Sequence, residues 1–338
     1  MAAALTQIVS VVGAVTISAI LVKTLNLIVL YVRPSRLDRY AHKSLAGDEP
    51  WALVTGASGG IGRALTSQLA ARGFNVVLHG RSREKLSRVT SELQEEFPGR
   101  SFRILIADPE AVAAIAAEKS GDSTGQVPVD FDAIRQELDD IRLTVVINNV
   151  GGGPANPSCI SLTESPEATV TRNINLNALF PWHLSRVLLP NLMRNSPSVL
   201  INVSSMADQG LPLLATYGAS KSFLMTATRA LRLEMVMEGS ASEVEVLGVR
   251  LGKVTGARGF TEQPSLFVPN AGTVAKAILA RAGHDNGIVH ACWRHAMAEL
   301  LGSVMTPFPR SIQDKVYLSI MKQQREELDG GLKTVKQP

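Results

Sequence analysis

Tyr217 and Lys221 are the residues of this sequence best suited to acid–base chemistry, because they lie four positions apart in the run Tyr-Gly-Ala-Ser-Lys. On a helix that spacing places both side chains on one face. An ammonium beside a phenol favours the phenolate, so we expect a lowered pKa for Tyr217. Such a phenol could give its proton to a carbonyl oxygen. Taken alone, a Tyr–Lys pair is more often an ordinary surface pair.

A second polar group lies upstream of this pair. Residues 200–203 have the apolar character of a short buried strand, which ends in Ser204 and Ser205. A serine hydroxyl there could hydrogen-bond the oxygen that Tyr217 protonates. Each feature alone would be structural more often than catalytic, but their order after a nucleotide-binding turn favours one joint site.

The predicted nucleotide-binding turn is a glycine-rich run at residues 56–62. An apolar strand at 52–55 leads directly into it, and a helical pattern follows through Arg72. Glycines at such a turn allow the backbone to approach a pyrophosphate, whose charge lies at the helix N-terminus. The run has no GKS or GKT, so a Walker site is excluded. The predicted cofactor contacts here are Gly56, Ser58, Gly60, Ile61 and Gly62.

The end of the second predicted strand indicates which dinucleotide binds. An NAD site would place a carboxylate there, whereas a guanidinium pairs with the 2′-phosphate of NADP. Arg81 occupies this position, so we predict NADP(H). A solvated basic loop is the alternative, and Arg83 fits it better. Asp108, after the third strand, could hold the adenine amino group or simply start a turn.

Strands alternate with helices along most of the chain. This alternation predicts an α/β fold, a doubly wound parallel sheet of the Rossmann type covered on both faces. Residues 119–130 combine Gly, Ser, Asp, Thr and Pro, which indicates a mobile surface loop. The predicted strands are 52–55, 74–78, 102–107, 144–148, 199–203 and 245–251, with a helix at 83–97.

An apolar stretch from Leu5 to Val32 precedes this fold, interrupted only by Lys23 and a few small polar residues. It is long enough to cross a bilayer as a helix, and it is too long and lacks the basic n-region of a cleaved signal peptide. We therefore expect a transmembrane or membrane-anchoring helix rather than a buried core helix. Lys23 leaves a hairpin or an interfacial segment as alternatives to a single span.

The formal charge of +4 lies beside this stretch. In residues 33–43 four basic residues oppose Asp38, which gives +3, and Lys23 adds one, so residues 44–338 are formally neutral. Positive residues stay on the cytosolic side, so we expect the remaining chain to face the cytosol. A nucleic-acid-binding protein would spread its basic residues over a docking face, which excludes nucleic acid as a partner.

Composition and residue spacing exclude further classes of protein and of site. With 45% hydrophobic residues the chain is too apolar to be disordered. Two cysteines, neither in a CxxC pair, cannot form a disulfide framework or a four-thiolate zinc site. The six histidines show no HExxH spacing, so we predict no metal site.

Four motifs resemble the short-chain dehydrogenase/reductase family, in the order usual for that family: TGASGGIG at 55–62, NNVG at 148–151, the pair Ser204-Ser205 and YGASK at 217–221. The resemblance spans about residues 50–260. WALVTG at 51–56, Val150 and PLLATY at 212–217 are similar to its membrane-bound branch. That branch holds the very-long-chain 3-oxoacyl-CoA reductases and the related 17β-hydroxysteroid dehydrogenases.

The resemblance implies a role for each matching residue. Tyr217 matches the proton donor, and Lys221 the residue that lowers its pKa and binds the nicotinamide ribose. Asn149 matches the asparagine that steadies the central sheet beside the cofactor. Val254 and Thr255 are predicted cofactor contacts, although the proline usual before this segment is absent.

Two catalytic positions have competitors. Asn173, Asn175 and Asn177 compete for the asparagine that completes a proton relay, and counting back from residues 187–190 favours Asn177. The strand-end motif favours Ser205 as the catalytic serine, whereas the usual family spacing favours Ser204. We prefer Ser205, assuming a one-residue deletion in 206–211.

The implied activity is NADPH-dependent reduction of a ketone to a secondary alcohol, Tyr217 protonating the oxygen that Ser205 holds. The favoured substrate is a very-long-chain 3-oxoacyl-CoA, reduced to the 3-hydroxyacyl-CoA in fatty-acid elongation at the endoplasmic reticulum membrane. The alternatives are a ketosteroid or polyketide-type ketoreductase and a non-catalytic membrane scaffold. Expected partners are an acyl-CoA or steroid-like substrate and the membrane; elongation-complex partners and a homo-oligomer stay open.

The predicted organisation has four parts. In the C-terminal part, residues 257–338, Phe260, Leu266 and Phe267 would suit an acyl chain, a steroid or a plain packed loop. Residues 289–308 are either a substrate-entry or membrane-surface element or a C-terminal packing helix. The parts are a membrane anchor (1–32), a basic juxtamembrane linker (33–50), an NADP-binding reductase domain with the catalytic site (51–256), and a substrate lid with a C-terminal helical region (257–338).

Overall fold

The described strands of the protein, in a computed structural model, form one parallel sheet of seven strands in the order β3-β2-β1-β4-β5-β6-β7. The residues described are 2–112, 128–153, 159–240, 243–256, 263–303 and parts of 311–326. The strands are β1 (Trp51–Thr55), β2 (Asn75–Gly80), β3 (Phe102–Ile106), β4 (Leu143–Asn148), β5 (Ser198–Ser205), β6 (Val244–Leu251) and β7 (Ile288–His290).

Helices cover both faces of this sheet. The described helices are α1 (Ala2–Val32), α2 (Gly60–Ala70), α3 (Arg83–Glu96), α4 (Phe131–Glu137), α5 (Glu167–Ile174), α6 (Phe180–Arg194), α7 (Ala215–Met237), α8 (Ala271–Leu279) and α9 (Trp293–Ser303). The helix α1 does not cover the sheet. A π-helical turn, Asn175–Leu179, joins α5 to α6, and short 3₁₀ helices lie at Leu37–Tyr40, Leu162–Glu164 and Met206–Gln209.

The sheet separates two hydrophobic cores, which is why its strands are apolar on both faces. Ala52 and Val54 of β1 pack with α2, α3 and α8, whereas Leu53 between them packs with α4, α6 and α7. The predicted doubly wound α/β fold is confirmed. Because the strand order reverses between β1 and β4, a crevice opens at their carboxyl ends, where ligands bind in such sheets.

The N-terminal helix α1 is 31 residues long, about 46 Å at the helical rise. Its most apolar 18-residue stretch has a mean hydropathy of 2.2, and none of that stretch is buried. By length and composition α1 could therefore cross a membrane. Its last turn meets the domain, where the Tyr31 hydroxyl donates to the His290 carbonyl at 2.8 Å and the Arg281 guanidinium contacts the Leu30 carbonyl.

The segment after α1 packs against the sheet rather than extending from it. Leu37 and Tyr40 are 0% and 1% exposed and belong to the core on the α2–α8 face. The Ser35 hydroxyl donates to the Leu279 carbonyl at 3.2 Å. The basic segment 33–43 is thus anchored to the domain.

The C-terminal part of the sheet was not predicted from the sequence. Within residues 289–308, the described part forms the end of β7 and the helix α9, and β7 pairs with β6 at the sheet edge. Residues 304–308 lie outside the described residues. So do Phe260 and the others at 257–262 of the predicted lid, and 119–127 of the predicted loop.

Candidate active site

The glycine turn between β1 and α2 lies at the β1 end of the crevice. Gly56 has φ +70°, a left-handed conformation that favours glycine. A Cβ on Gly62 would lie 2.1 Å from the Gly56 carbonyl oxygen, so only glycine lets the helix approach the turn this closely. At Gly59 an added Cβ would meet no atom within 4 Å. Ser58 and Ile61 are partly buried in the same turn.

Asn149 connects this turn to the end of β4. Its side-chain amide donates to the Thr55 carbonyl at 2.9 Å, and its backbone N–H donates to the Thr55 hydroxyl at 2.9 Å. The Asn149 side chain also contacts Gly56 and Gly62 closely enough that a Cβ on either would crowd it. The residue therefore holds β1, β4 and the turn together.

Tyr217 and Lys221 lie in the first two turns of α7, which begins at Ala215. Lys221 is 3% exposed, and its Nζ donates to the Val203 carbonyl at 2.9 Å. Burial lowers the pKa of Lys221 to about 8. The helical spacing brings both side chains to the carboxyl end of β5.

The expected lowering of the Tyr217 pKa is wrong for this structure. Burial of the phenol raises its pKa, a hydrogen bond with the Ser205 side chain opposes this, and the charge of Asp208 adds to the rise. The Lys221 ammonium, which sequence reasoning assigned to the phenol, is bound to the carbonyl of Val203. The phenol is accordingly held in its protonated form at neutral pH.

The two adjacent serines have different surroundings. Ser205 is partly buried, lies near enough to Tyr217 to lower the pKa of its phenol, and accepts the Ala207 N–H at 3.2 Å. Ser204 points to the opposite side, as neighbouring strand residues do, and its hydroxyl donates to Asp208 at 3.2 Å. Only Ser205 therefore shares a site with Tyr217.

Among the three asparagines, Asn177 lies beside Lys221. A Cβ on Gly151 would lie 2.7 Å from the Asn177 Oδ1 and 2.8 Å from the Lys221 Nζ. Asn177 is fully buried in the π-helical turn, where its amide accepts from the Gly152 N–H and donates to the Gly152 carbonyl, both at 2.9 Å. Asn175 instead donates to the carbonyls of Glu110 and Val112, away from the site.

The two residues predicted to bind the adenosine half of the cofactor, Arg81 and Asp108, follow β2 and β3. The Arg81 guanidinium is about half exposed and contacts the Glu110 carboxylate at 3.4 Å. The Asp108 carboxylate accepts the Glu110 N–H at 3.0 Å, as a turn-initiating residue does. Sequence reasoning had left that turn role open for Asp108, and it had missed Glu110.

Val254 and Thr255 follow β6. Val254 is buried in the core beneath α8, and the Thr255 N–H donates to the Pro269 carbonyl at 3.0 Å. Gly252, in the segment that lacks the family proline, donates its N–H to the His295 Nδ1 at 3.1 Å. Sequence reasoning missed His295, because nothing local connects α9 to this turn.

An apolar cleft lies directly beside Tyr217. Leu213 within it has φ +64°, a strained conformation for a bulky residue, and its carbonyl accepts the Ile160 N–H at 3.2 Å. That bond joins the segment before α5 to the loop before α7. The cleft wall includes Ile160, Leu162, Val170, Leu213 and Leu214.

Known proteins resemble this chain over most of its length. A very-long-chain 3-oxoacyl-CoA reductase of Anas platyrhynchos is 30% identical over 279 residues, which cover 81% of this chain and 81% of that protein. The Mus musculus protein of the same name is 27% identical over 279 residues, covering 81% of this chain and 80% of that protein.

Solved structures share the fold. A short-chain dehydrogenase from Sphingobium yanoikuyae in complex with NADPH has a TM-score of 0.58 at 21% identity, covering 77% of this chain and 96% of that one. A 7β-hydroxysteroid dehydrogenase has a TM-score of 0.64 at 20% identity, covering 81% and 97%. The family model for short chain dehydrogenase matches residues 50–262. The chain therefore belongs to the short-chain dehydrogenase/reductase family of oxidoreductases.

Proposed function

We propose that this protein reduces the ketone of long-chain 3-oxoacyl-CoA thioesters with NADPH. One observation carries the proposal: Ser205, Tyr217, Lys221 and Asn177 meet at the carboxyl ends of the central strands, beside an apolar cleft. Nothing in folding requires these four side chains to converge, which argues against a non-catalytic scaffold. The named relatives, very-long-chain 3-oxoacyl-CoA reductases, support the substrate class.

The residues at the crevice fit NADP(H). The tight glycine turn leaves open space at Gly59 before the N-terminus of α2, where a pyrophosphate binds. Arg81 would give up its 3.4 Å contact with Glu110 and pair with the 2′-phosphate of the cofactor. Lys221 would hold the nicotinamide ribose. Related structures contain NADPH or NADP. When bound, NADPH supplies the hydride that reduces the carbonyl carbon.

The chain's own residues supply the proton and hold the oxygen. Tyr217 carries its proton at neutral pH, as an acid that protonates the forming alkoxide must. Ser205, which lies beside Tyr217, would donate to the same oxygen and meet its charge as it forms. Asn177 beside Lys221 would complete the path by which Tyr217 regains a proton.

The cleft beside Tyr217 supports an acyl substrate. Its aliphatic residues, with Ser165, Thr169 and Asn173 among the polar ones, would take methylene groups next to the reacting ketone. A steroid would bury apolar surface equally well. The ketosteroid alternative is therefore decided by experiment.

We infer that α1 anchors the enzyme in the endoplasmic reticulum membrane with the reductase domain facing the cytosol. The exposed apolar surface of α1 and the positive segment 33–43 that follows it support this placement. In this organisation residues 1–32 are the anchor, 51–256 hold cofactor and catalytic site, and 257–338 contribute the substrate side.

The test is a substrate panel with the full chain in detergent micelles. Long-chain 3-oxoacyl-CoAs and ketosteroids are compared by NADPH consumption, with NADH run beside it. We expect turnover with the thioesters, and Tyr217→Phe should abolish turnover while NADPH binding, followed by its fluorescence, persists. Preference for ketosteroids would overturn the substrate, preference for NADH would overturn the role of Arg81, and full activity of Tyr217→Phe would overturn the mechanism.

A further inference from the structure

A buried carboxylate that the proposed reaction does not use lies directly behind the site. Asp208 is in the 3₁₀ helix Met206–Gln209, between the end of β5 and α7, and its side chain is 1% exposed. Its Oδ2 accepts from the Arg250 Nε at 2.7 Å and from the Ser204 hydroxyl at 3.2 Å. Its Oδ1 has no hydrogen-bond partner among the described residues.

Arg250 fixes this carboxylate from the neighbouring strand. Ser204 of β5 and Arg250 of β6 are register partners, so the guanidinium reaches Asp208 across one strand spacing. Arg250 also contacts Glu299 of α9 at 3.8 Å, and Glu299 contacts the His290 Nδ1 at 3.2 Å. Burial, followed by the charge of Arg250, lowers the pKa of His290 to about 4, so this imidazole is neutral at physiological pH.

The charge of Asp208 acts on both central side chains of the site. It raises the pKa of Tyr217, and it partly opposes the lowering of the Lys221 pKa by burial. Among the described residues, Asp208 on the 3₁₀ helix is the charged group that acts on Tyr217, with Arg250 behind it. Lys221 follows Tyr217 by one turn of α7, and its Nζ is bound to the Val203 carbonyl. On the other side, the described residues of the cleft wall carry no charged side chain.

We propose that the Asp208–Arg250 ion pair is a positioning device for the reaction: it fixes the turn between β5 and α7 and places one compensated negative charge behind Tyr217 and Lys221. This inference rests on the proposed role of Tyr217 as proton donor. Without Arg250 the negative charge behind the site is uncompensated; without Asp208 only positive charge remains there. The two single changes therefore act on the proton affinity of the site with opposite sign.

The test compares pH–rate profiles of ketone reduction in Asp208→Asn and Arg250→Gln. Reduction needs the protonated phenol, so activity falls as the Tyr217–Lys221 pair loses its proton. We expect this alkaline limb to move to lower pH in Asp208→Asn and to higher pH in Arg250→Gln, while the Kd for NADPH stays within about threefold of wild type. Asp208→Glu keeps the charge and should restore the wild-type limb.

Asp140→Asn is the matched control, because Asp140 forms an equally short pair with Arg103 at 2.7 Å but at the far edge of the sheet. The alkaline limb of the pH–rate profile of Asp140→Asn should not move. The inference is overturned if the alkaline limb moves in the same direction in Asp208→Asn and Arg250→Gln, or if it moves in neither. In both cases an inactive Tyr217→Phe would leave the proposed function standing. If Asp208→Asn does not fold, the other two variants test the inference. The alkaline limb should move to higher pH in Arg250→Gln and should stay at its wild-type position in Asp208→Glu. Activity in Tyr217→Phe would instead remove the proposed function itself.

Discussion

The Tyr40 hydroxyl donates a 2.5 Å hydrogen bond to the buried carboxylate of Glu245, joining residues 205 positions apart in the sequence. The same carboxylate accepts the backbone N–H groups of Gly283 at 2.6 Å and Asp285 at 2.7 Å. One side chain in β6 thus binds the segment after α1 and the turn after α8. If α1 is in a membrane, this contact limits how freely the domain can rotate beneath it.

Tyr40→Phe should therefore destabilise the whole domain. The change removes a hydrogen bond to a buried carboxylate while keeping the aromatic packing, and such bonds contribute about 1.5–3 kcal/mol. Thermal unfolding should show the loss. Tyr317→Phe, at an exposed position, is the control and should change the unfolding free energy by less than about 0.5 kcal/mol. Equal stabilities of the two variants would contradict a fastening role for Tyr40.

Ser205→Ala should lower kcat strongly, whereas Ser204→Ala should not. Ser205 lies beside Tyr217 and would donate to the same substrate oxygen, and removal of one such donor typically costs about 10²–10³ in kcat. Ser204 faces Asp208, so its loss should cost only a few-fold. Single-turnover reduction of a 3-oxoacyl-CoA measures both. A larger loss in Ser204→Ala would assign the catalytic role to the other serine.

Leu213→Gly should be more stable than Leu213→Ala. Both variants remove the side chain from the cleft, but only glycine adopts φ +64° without strain, and a left-handed residue with a Cβ costs about 1–2 kcal/mol. The more flexible unfolded chain of the glycine variant offsets part of this strain relief, so we expect a net advantage for glycine of at most about 1 kcal/mol by thermal unfolding. Both variants should raise KM for the long-chain thioester. Equal stabilities would mean that Leu213 is not strained.

Gly62→Ala should weaken NADPH binding and destabilise the fold. Its Cβ would collide with the Gly56 carbonyl and push α2 away from the turn, and such overpacking costs about 1–3 kcal/mol. Cofactor titration by fluorescence and a melting curve measure the two effects. Gly99→Ala is the control, since a Cβ there meets no atom within 4 Å. A Gly62→Ala protein that binds NADPH normally would remove the turn from the cofactor site.

Features encoded locally were predictable from the sequence. The glycine turn, the apolar strands and the Tyr217–Lys221 spacing each appear within a few consecutive residues, because a turn, a strand and a helix face are local structures. The Asp208–Arg250 and Tyr40–Glu245 contacts join residues far apart in the chain, and β7 has only three residues. The spacing of apolar residues along the sequence gives no information on which distant residues or strands pair.

The direction of the Tyr217 pKa shift was wrong for a related reason. Sequence spacing showed that an ammonium would be near the phenol, but not how deeply both groups are buried or that Val203 binds the ammonium. Burial depends on the whole fold around the site. The position of the Tyr217–Lys221 motif could therefore be predicted from the sequence, but the direction of the Tyr217 pKa shift could be found only from the structure.

Lys221 should make the stability of the enzyme depend on pH in a definite window. Its pKa is about 8 in the folded protein, because burial disfavours the charged form, against an ordinary value of 10.5. Between these values the unfolded chain binds more protons, so the free energy of unfolding rises with pH by roughly 1 kcal/mol per pH unit. Below pH 8 the destabilisation is fully present, and it is relieved as the pH approaches 10.5.

Lys221→Met removes this group and isolates its effect. The methionine keeps an unbranched side chain in the same space, so Lys221→Met should be more stable than wild type below pH 8 while losing turnover. The difference in unfolding free energy should shrink as pH rises through the window, because wild type gains stability there and the variant does not. Unfolding measured across this range checks the prediction. A difference that is constant with pH would show that burial of Lys221 does not burden the folded state.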